Sequence, residues 1–236
     1  MGIFDSTVHL WTTYHATLVF RDKLMGGIPK DPKIIEGWLG KKVGISDQEE
    51  MRMMALRTLV ELGYEVPADA TYAQMREAVE SLAGVKQTEG FKQCEGGLYQ
   101  ESRTVKAMLK EVTNILFAGD RWGVTKKGPQ KFLAERVFVN PDKILLQRSE
   151  PDGIYTFIGH VEDKNGRRAT LAYIEYAETP TLEFDVQVAR DAVKPEDWAL
   201  IWAHAQDNGL GSKRSQGFGR FDIEGWEEVP YGHCGH

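Results

Sequence analysis

A glycine-rich basic segment near the C-terminus carries the residue types best suited to ligand chemistry. Residues 209 to 222 read GLGSKRSQGFGRFD, with four glycines in eleven positions, at Gly209, Gly211, Gly217 and Gly219. Glycines let a backbone approach a ligand closely, and successive amides can form an anion-binding concavity. Lys213, Arg214 and Arg220 add positive charge with no acid among them, and Phe218 offers a ring on which an unpaired base can stack. The segment therefore predicts binding to phosphates and bases.

Two known motifs do not describe this segment. It lacks the G-x-x-x-x-G-K-[ST] order of a P-loop and follows a helix, not a strand. Residues 216 to 223, QGFGRFDI, begin with glutamine on the last strand. The RNA-recognition-motif signature begins with a basic residue and lies on an interior strand. The remaining alternative is a glycine cap and turn that only joins the helix to the strand.

A second basic surface is expected on a helix that begins at Ser102 and runs to about Phe117. Its apolar positions follow the i, i+4, i+7, i+11 spacing of a buried stripe, at Val105, Leu109, Val112 and Leu116. Arg103, Lys106 and Lys110 lie together on a different face. The sequence therefore predicts two basic surfaces for a nucleic acid, the glycine-rich loop and this helix.

Residues for catalysis or metal binding form no complete set. His15 lies at a strand start, and Asp22 and Asp31 follow the first strand, but general acid–base catalysis needs a positioned pair and none can be named. A terminal cluster suits zinc chemically, yet three ligands on a glycine-containing tail make a poor site, at His233, Cys234 and His236. No catalytic residue, metal or cofactor is predicted.

The composition is that of an ordinary globular chain with an uneven charge distribution. The 236 residues are 42% hydrophobic and 27% charged, with a net charge of -6. Residues 45 to 101 hold eleven acids against five bases, whereas residues 101 to 136 hold eight bases against four acids. A polyanion responds to the local field and not to the total. No membrane span, secretory signal or disulfide framework is expected, so we predict a cytoplasmic protein.

The elements that position these residues alternate between strands and helices. Residues 15 to 21 predict a strand, followed by a glycine–proline turn at 25 to 29. Capping boxes at Ser46–Glu49 and Thr71–Gln74 predict an acidic helical hairpin over 46 to 84, with apolar positions at Met51, Met54, Leu59, Met75, Val79 and Leu82.

The second half of the chain predicts a basic linker followed by strands and one further helix. The linker covers 121 to 131, and short strands follow at 136–139, 144–146, 155–161, 170–176 and 181–188. Asn165-Gly166 predicts a hairpin turn. A helix begins at Pro195, buries Trp198, Ile201, Trp202 and Ala205, and ends at Gly209, before a last strand over 220–229.

The order of these elements predicts an α+β fold. Strand, helix, strands, helix and strand is the split βαβ order of a ferredoxin-like (RRM-like) antiparallel sheet with two helices on one face. The helical hairpin after the first strand and the β-hairpin are insertions. Residues 1–30 and 98–236 form the ferredoxin-like domain, and residues 31–97 form a mostly helical insertion.

The segment GLGSKRSQGFGRF resembles the C-terminal glycine-rich loop of the CRISPR-associated RAMP superfamily, above all that of the crRNA-binding backbone subunits. Residues 14 to 29, YHATLVFRDKLMGGIP, are similar to the family's first strand and glycine turn, and residues 100 to 111, QESRTVKAMLKE, to its RNA-holding helix. The resemblance covers roughly 14–30 and 98–229. A stand-alone phage or mobile-element homologue fits the same pattern.

This resemblance implies a subunit that coats a guide or other single strand through backbone contacts. It implies single-stranded RNA, or single-stranded DNA, as partner, with repeated copies along the strand and other effector-complex subunits as further partners. Insertions act as thumbs or lids in such subunits, a role open to residues 31–97. Two alternatives stay open: a metal-independent endoribonuclease of the superfamily, for which His15 or an acid after the first strand is the candidate, and a phage or assembly protein that uses the fold for protein contacts.

Overall fold

A computed structural model describes residues 10–30, 35, 48–81, 88–120, 122, 128–163, 166–189 and 192–230. The chain divides into two compact units, the first comprising Met1–Leu24, Gln100–Leu145 and Thr179–His236, the second Met25–Tyr99 and Leu146–Glu178. The elements in chain order are β1 (Trp11–Phe20), β2 (Lys23–Met25), β3 (Ile28–Pro29), α1 (Gln48–Glu61), α2 (Tyr72–Ser81), β4 (Thr88–Gly90), β5 (Lys92–Cys94), β6 (Gly97–Glu101), α3 (Ser102–Leu116), α4 (Pro129–Arg136), β7 (Val137–Asn140), β8 (Lys143–Leu145), β9 (Gly153–Asp163), β10 (Gly166–Glu178), β11 (Thr181–Ala189), α5 (Pro195–Asn208) and β12 (Phe221–Glu228).

The first unit is built on a four-stranded antiparallel sheet with the strand order β12-β1-β11-β7. Alternate residues of β1 are buried, as the period of two in a strand requires, at Ala16, Leu18 and Phe20. The helices α3 and α5 pack against each other, α3 also contacts β7, and α5 contacts β12. The buried face of the sheet therefore lies under the helices, and the other face, with His15 and Thr17, is the open face.

Helix α5 shows how closely local signals can specify an element. Pro195 occupies its first turn together with Glu196 and Asp197, where acids favour the positive end of the helix dipole. Trp198, Ile201, Trp202 and Ala205 are buried. The helix ends at Gly209, as predicted, and both tryptophans belong to the core, where each contacts Trp226 of β12.

The second unit combines a helical pair with a long β-hairpin. Strands β9 and β10 pair antiparallel from Gly166↔Asp163 to Tyr176↔Gly153, and β4 joins β10 in parallel. Glu175 on β10 accepts two hydrogen bonds from Nζ of Lys30, both of 2.9 Å, and one from the amide of Phe91. The side chains of Lys30 and Glu175 are only 16% and 14% exposed, so this largely buried ion pair links β10 to the segment after β3 within the unit.

The helical pair is held by its own small core. The capping box predicted at Thr71 is confirmed, because the Thr71 amide donates to Oε1 of Gln74 (2.8 Å) and the Gln74 amide donates to Oγ1 of Thr71 (3.4 Å). The buried residues of this core include Ala55, Leu56, Leu59, Leu62, Met75 and Val79. Ser46, Asp31 and Leu82 lie outside the described residues, as do Asn165 and the terminal cluster His233, Cys234 and His236.

The expected α+β class is confirmed, and several finer predictions need correction. Leu116 is 36% exposed, so it does not belong to the predicted buried stripe of α3, and the apolar position Met54 of α1 is 46% exposed. The basic linker predicted over 121–131 extends too far, because α4 already begins at Pro129. Pro129 stands in the first turn of that helix, directly after Gly128. The strands β4, β5 and β6 were not predicted, since runs of three to five residues carry too short an alternating pattern.

Candidate nucleic-acid interface

The glycine-rich loop is closed at its base by backbone hydrogen bonds. The amide of Leu210 donates to the carbonyl of Gly219 (2.9 Å), and the amide of Gly219 donates to the carbonyl of Lys23 (2.9 Å). Leu210 is only 1% exposed and anchors the loop in the core of the first unit. Residues 211 to 218 are therefore presented by a closed loop and not by an open linker.

Gly219 is the position at which this closure demands a glycine. Its φ is +77°, in the left-handed region that residues with a Cβ avoid. A Cβ added there would also collide with the carbonyl oxygen of Leu210. The backbone geometry of the loop thus explains the need for glycine at this position without any ligand. This agrees with the alternative that the segment is a glycine cap and turn between the helix and the strand. This leaves the side chains at the apex to decide whether the loop binds a ligand.

The apex of the loop is a single tight turn that carries two of the three cations. Lys213 adopts left-handed backbone angles (φ 57°, ψ 28°), and a short 3-10 turn follows over Arg214–Gln216. The amide of Gly217 donates to the carbonyl of Arg214 (2.9 Å) and closes the turn. Phe218 is half-buried beside it, and Arg220 is exposed where the chain enters β12.

One ion pair joins the loop to α3. Nη2 of Arg214 lies 2.9 Å from Oε2 of Glu111, and the two side chains are 32% and 44% exposed. A pair this exposed contributes roughly 1 kcal/mol at most, so its main effect is to fix where the apex lies. The two basic surfaces that were separate in the sequence are thereby brought together, although the pair offsets part of the Arg214 charge.

The three cations of α3 have different surroundings. Arg103 donates to Oε2 of Glu101 through Nε (2.9 Å) and Nη2 (2.6 Å), so much of its charge is paired. Nζ of Lys106 lies over the ring of Phe138, 4.4 Å from its centroid. Burial, and then the charge of Lys110 one turn away, lower the pKa of Lys106. Lys110 is half-buried at the next turn of the helix.

A clamp of two carboxylates and one guanidinium stabilises the base of the loop, and sequence reasoning missed it. Arg21, at the end of β1, donates to Asp222 through Nη2 (2.6 Å) and to Asp207 through Nη1 (2.8 Å). The hydrogen bond from Arg21 to Asp222, and then the Arg21 charge, lower the pKa of Asp222. Since Asp207 lies in the last turn of α5 and Asp222 is the second residue of β12, the clamp ties both ends of the loop to the end of β1. No local signal identifies it, because its partners are about 200 positions apart in the chain.

The charge of the joined surface is positive within an acidic protein. Helix α3 and residues 209 to 220 together hold one acid, Glu111, and six bases, namely Arg103, Lys106, Lys110, Lys213, Arg214 and Arg220. The open face of the sheet differs, because Glu227, His15 and Asp185 lie side by side in register across its centre. A polyanion is therefore attracted to the loop and α3, and repelled from the middle of the sheet.

The structure supplies one pair that could not be named from the sequence. Nδ1 of His15 donates to Oδ1 of Asp185 (2.9 Å), and both side chains are 46% exposed on the open face. Asp22 instead forms an ion pair with Lys23 (3.3 Å). Within the described residues, no three His, Cys, Asp or Glu side chains are grouped so that they could hold a metal ion. In the same part of the chain, no helix has the length and apolar character needed to cross a membrane.

Comparison with known proteins does not assign the chain to a family. No family model matches the sequence, and no curated protein matches it. Among solved structures, the chain is similar to one chain of the cryo-EM structure of the Type III-B Cmr-beta bound to cognate target RNA, with a TM-score of 0.43 and 11% sequence identity. The match covers 93% of this chain and 61% of that chain, so the protein spans less than two thirds of the length of its neighbour.

Proposed function

We propose that this protein binds single-stranded nucleic acid, RNA in the first place, through the surface formed by α3 and the glycine-rich loop. The observation that carries the proposal is the contact between Arg214 and Glu111, which sets a closed, acid-free loop against a helix with three cations. Such a surface suits the phosphates of a strand, and Phe218 beside the loop apex suits an unpaired base.

A single strand fits this surface better than a duplex does. The cations lie on one helix and one short loop, and the acidic centre of the open face, at Asp185 and Glu227, discourages a broad polyanion from lying across the sheet. A flexible strand can follow a narrow basic path and avoid the acids, whereas a duplex of fixed width cannot. Single-stranded DNA has the same backbone charge and is the second ligand to be tested.

We also propose that the first unit is a ferredoxin-like domain of the RAMP type. Two observations support this: the antiparallel strand order β12-β1-β11-β7, which a split βαβ connection produces, and the packing of α3 and α5 against each other. In the sequence, the segment Met25–Tyr99 of the second unit lies between β1 and α3, which supports an insertion over residues 31–97. The proposed domain of residues 1–30 and 98–236 also includes Leu146–Glu178, a segment that belongs to the second unit.

The loop is tested by changing Lys213, Arg214 and Arg220 together to Ala. Binding to a fluorescent oligonucleotide is measured over a series of salt concentrations. For a single strand, removal of one cation that binds a phosphate should reduce the slope of log K against log salt by roughly 0.7. We expect weaker binding and a shallower slope. A matched control removes three cations outside this surface, at Arg57, Arg76 and Lys194. Equal affinity and slope in the loop variant and the control would refute the assignment.

Helix α3 is tested best at Lys110. Because Lys106 is half-buried against the Phe138 ring, a charge reversal there disturbs packing as well as binding. Lys110→Glu should lower affinity while leaving the melting temperature nearly unchanged, because surface charges usually alter stability by about 0.5 kcal/mol or less. A large drop in melting temperature would mean that Lys110 has a structural role.

A second candidate function is RNA cleavage, and the pair His15–Asp185 is the observation that favours it. An Asp that orients one imidazole nitrogen leaves the other nitrogen available for proton transfer. The acids around the pair argue against it, since they repel the RNA that it would have to approach. Specific cleavage of labelled hairpin or linear RNA that disappears in His15→Ala would support the nuclease; RNA that stays intact during long incubation with Mg²⁺ would exclude it.

The binding surface of one copy is short, so we propose that copies assemble along one strand. Repetition raises the effective concentration of each site and hence the affinity for long strands. The acidic region around α1 and α2 supplies a contact of opposite charge to the basic stretch 121–131 of a neighbouring copy. Mass measured by light scattering should increase in steps with oligonucleotide length. Strict one-to-one binding at every length would contradict this assembly.

A further inference from the structure

Two aromatic rings lie exposed at one end of the open sheet face in the first unit. Trp11 on β1 and Phe138 on β7 are 37% and 41% exposed, and their ring centroids are 5.4 Å apart at an interplanar angle of 65°. On the intervening strand β11, Ala189 lies opposite Trp11 and Gln187 lies opposite Phe138. The strand alternation puts both rings on the face opposite the core, because Val137 and Val139 are buried on the other side of β7.

The core of the unit does not need these two rings. Its own aromatic cluster is formed by Trp198 and Trp202 of α5 and Trp226 of β12. Large apolar side chains that stay exposed in contact with each other indicate a binding surface more often than isolated ones do. Trp11 lies four positions, or about 13 Å, along β1 from His15. Phe138 is nearer to the acidic centre, because its partner Gln187 lies two positions, or about 7 Å, along β11 from Asp185.

A cation completes this arrangement. Strand β7 is the edge of the four-stranded sheet, so Lys106 of α3 can reach around it and place Nζ over the Phe138 ring, 4.4 Å from the centroid. An aromatic surface beside an ammonium group matches the two halves of a nucleotide, the base and the phosphate.

We propose that Trp11 and Phe138 form a stacking site for one unpaired base, with Lys106 holding the adjoining phosphate. This inference rests on the proposed function and adds a second, base-dependent contact to it. Helix α3 connects the two sites, because Lys106 and Glu111, the partner of Arg214, are five residues or roughly 7.5 Å apart along the helix axis. One strand can therefore contact the stacking site and the loop in succession.

The test compares an intact oligonucleotide with one of the same length that contains abasic positions. Removal of one stacked base costs roughly 5- to 150-fold in affinity. We expect Phe138→Ala and Trp11→Ala to weaken binding of the intact strand to this extent and to leave the salt slope unchanged. Each variant should also bind the abasic strand as well as the unchanged protein does. Lys106→Gln should instead reduce the salt slope by about 0.7.

The controls separate this inference from the proposed function. Leu145→Ala removes another exposed apolar side chain of the first unit, 40% exposed on β8, and should bind like the unchanged protein. If the loop variant loses binding while Phe138→Ala and Trp11→Ala do not, only the stacking site is refuted. If the unchanged protein binds no single strand, the proposed function fails as well. If the two aromatic variants alter only self-association, the rings form a contact between copies, and the stacking site is overturned.

Discussion

Replacing Gly219 with Ala should open the glycine-rich loop. A residue with a Cβ pays roughly 1–2 kcal/mol for left-handed backbone angles such as the φ of +77° found here. The new Cβ would also collide with the carbonyl oxygen of Leu210. The colliding atoms belong to the backbone of Leu210, so rotation of a side chain cannot relieve the collision. The collision can be relieved only if residue 219 moves and one of its two backbone hydrogen bonds breaks. These are the bond from the Leu210 amide to the carbonyl of residue 219 and the bond from the amide of residue 219 to the Lys23 carbonyl, each worth roughly 0.5–1.5 kcal/mol. The expected decrease in unfolding free energy is about 1.5–3.5 kcal/mol, the sum of the conformational cost and one lost hydrogen bond.

Gly217→Ala is the matched control for this substitution. Gly217 has a φ of +92° in the same loop, but nothing lies within 4 Å of an added Cβ. It should therefore show only the conformational cost, roughly 1–2 kcal/mol. Urea unfolding measures both decreases, and oligonucleotide binding under native conditions measures the effect on the site. Equal destabilisation by the two substitutions would refute the view that loop closure at Gly219 is set by close packing against Leu210.

Three further predictions concern ion pairs. Glu175→Gln should lower the unfolding free energy measured in urea by about 2–3 kcal/mol, because it leaves a largely buried lysine without its carboxylate. Asp222→Asn should destabilise the protein at pH 7, because Arg21 lowers the pKa of Asp222 in the folded state. The difference in unfolding free energy from the unchanged protein should shrink as the pH falls below about 3.9, the unfolded pKa, and through the lower folded-state pKa. Glu111→Gln should tighten single-strand binding by roughly 1.5- to 5-fold in a low-salt titration, since it releases the charge of Arg214.

Each of these predictions has an outcome that would contradict it. Glu175→Gln should be compared with Glu95→Gln, an exposed acid of the same unit, and equal stability of the two variants would mean that the Lys30–Glu175 pair does not stabilise the unit. A difference between Asp222→Asn and the unchanged protein that does not shrink as the pH falls below about 3.9 would point to a cause other than the carboxylate charge. Weaker binding by Glu111→Gln would mean that positioning of Arg214 matters more than its free charge.

The elements that the sequence predicted well are those specified by neighbouring residues. Helix α5 has its proline start, its buried tryptophan stripe and its glycine end within 15 residues, and the Thr71–Gln74 capping box is equally local. The exposed Met54 shows the limit of this reasoning, because a periodic apolar residue is buried only if another element covers it. Nothing in the sequence of a helix says which neighbour will do so.

The candidate site was only half accessible from the sequence, because its contacts join distant segments. The loop and the cations of α3 could be identified as separate patterns. The pairing of Glu111 with Arg214 spans 103 residues, and that of His15 with Asp185 spans 170. Trp11 and Phe138 carried no signal at all, since a single aromatic residue on a strand is ordinary until the register places another beside it.

Photo-crosslinking tests the proposed binding surface most directly. A single strand containing 4-thiouridine is bound to the full chain and irradiated, and the crosslinked peptides are identified by mass spectrometry after digestion. We predict crosslinks within 102–116 and 209–220, with the latter reduced when Lys213, Arg214 and Arg220 are replaced by Ala. The proposed surface would be contradicted if the crosslinks were confined to 25–99 and 146–178 and the strand bound the loop variant with the same affinity.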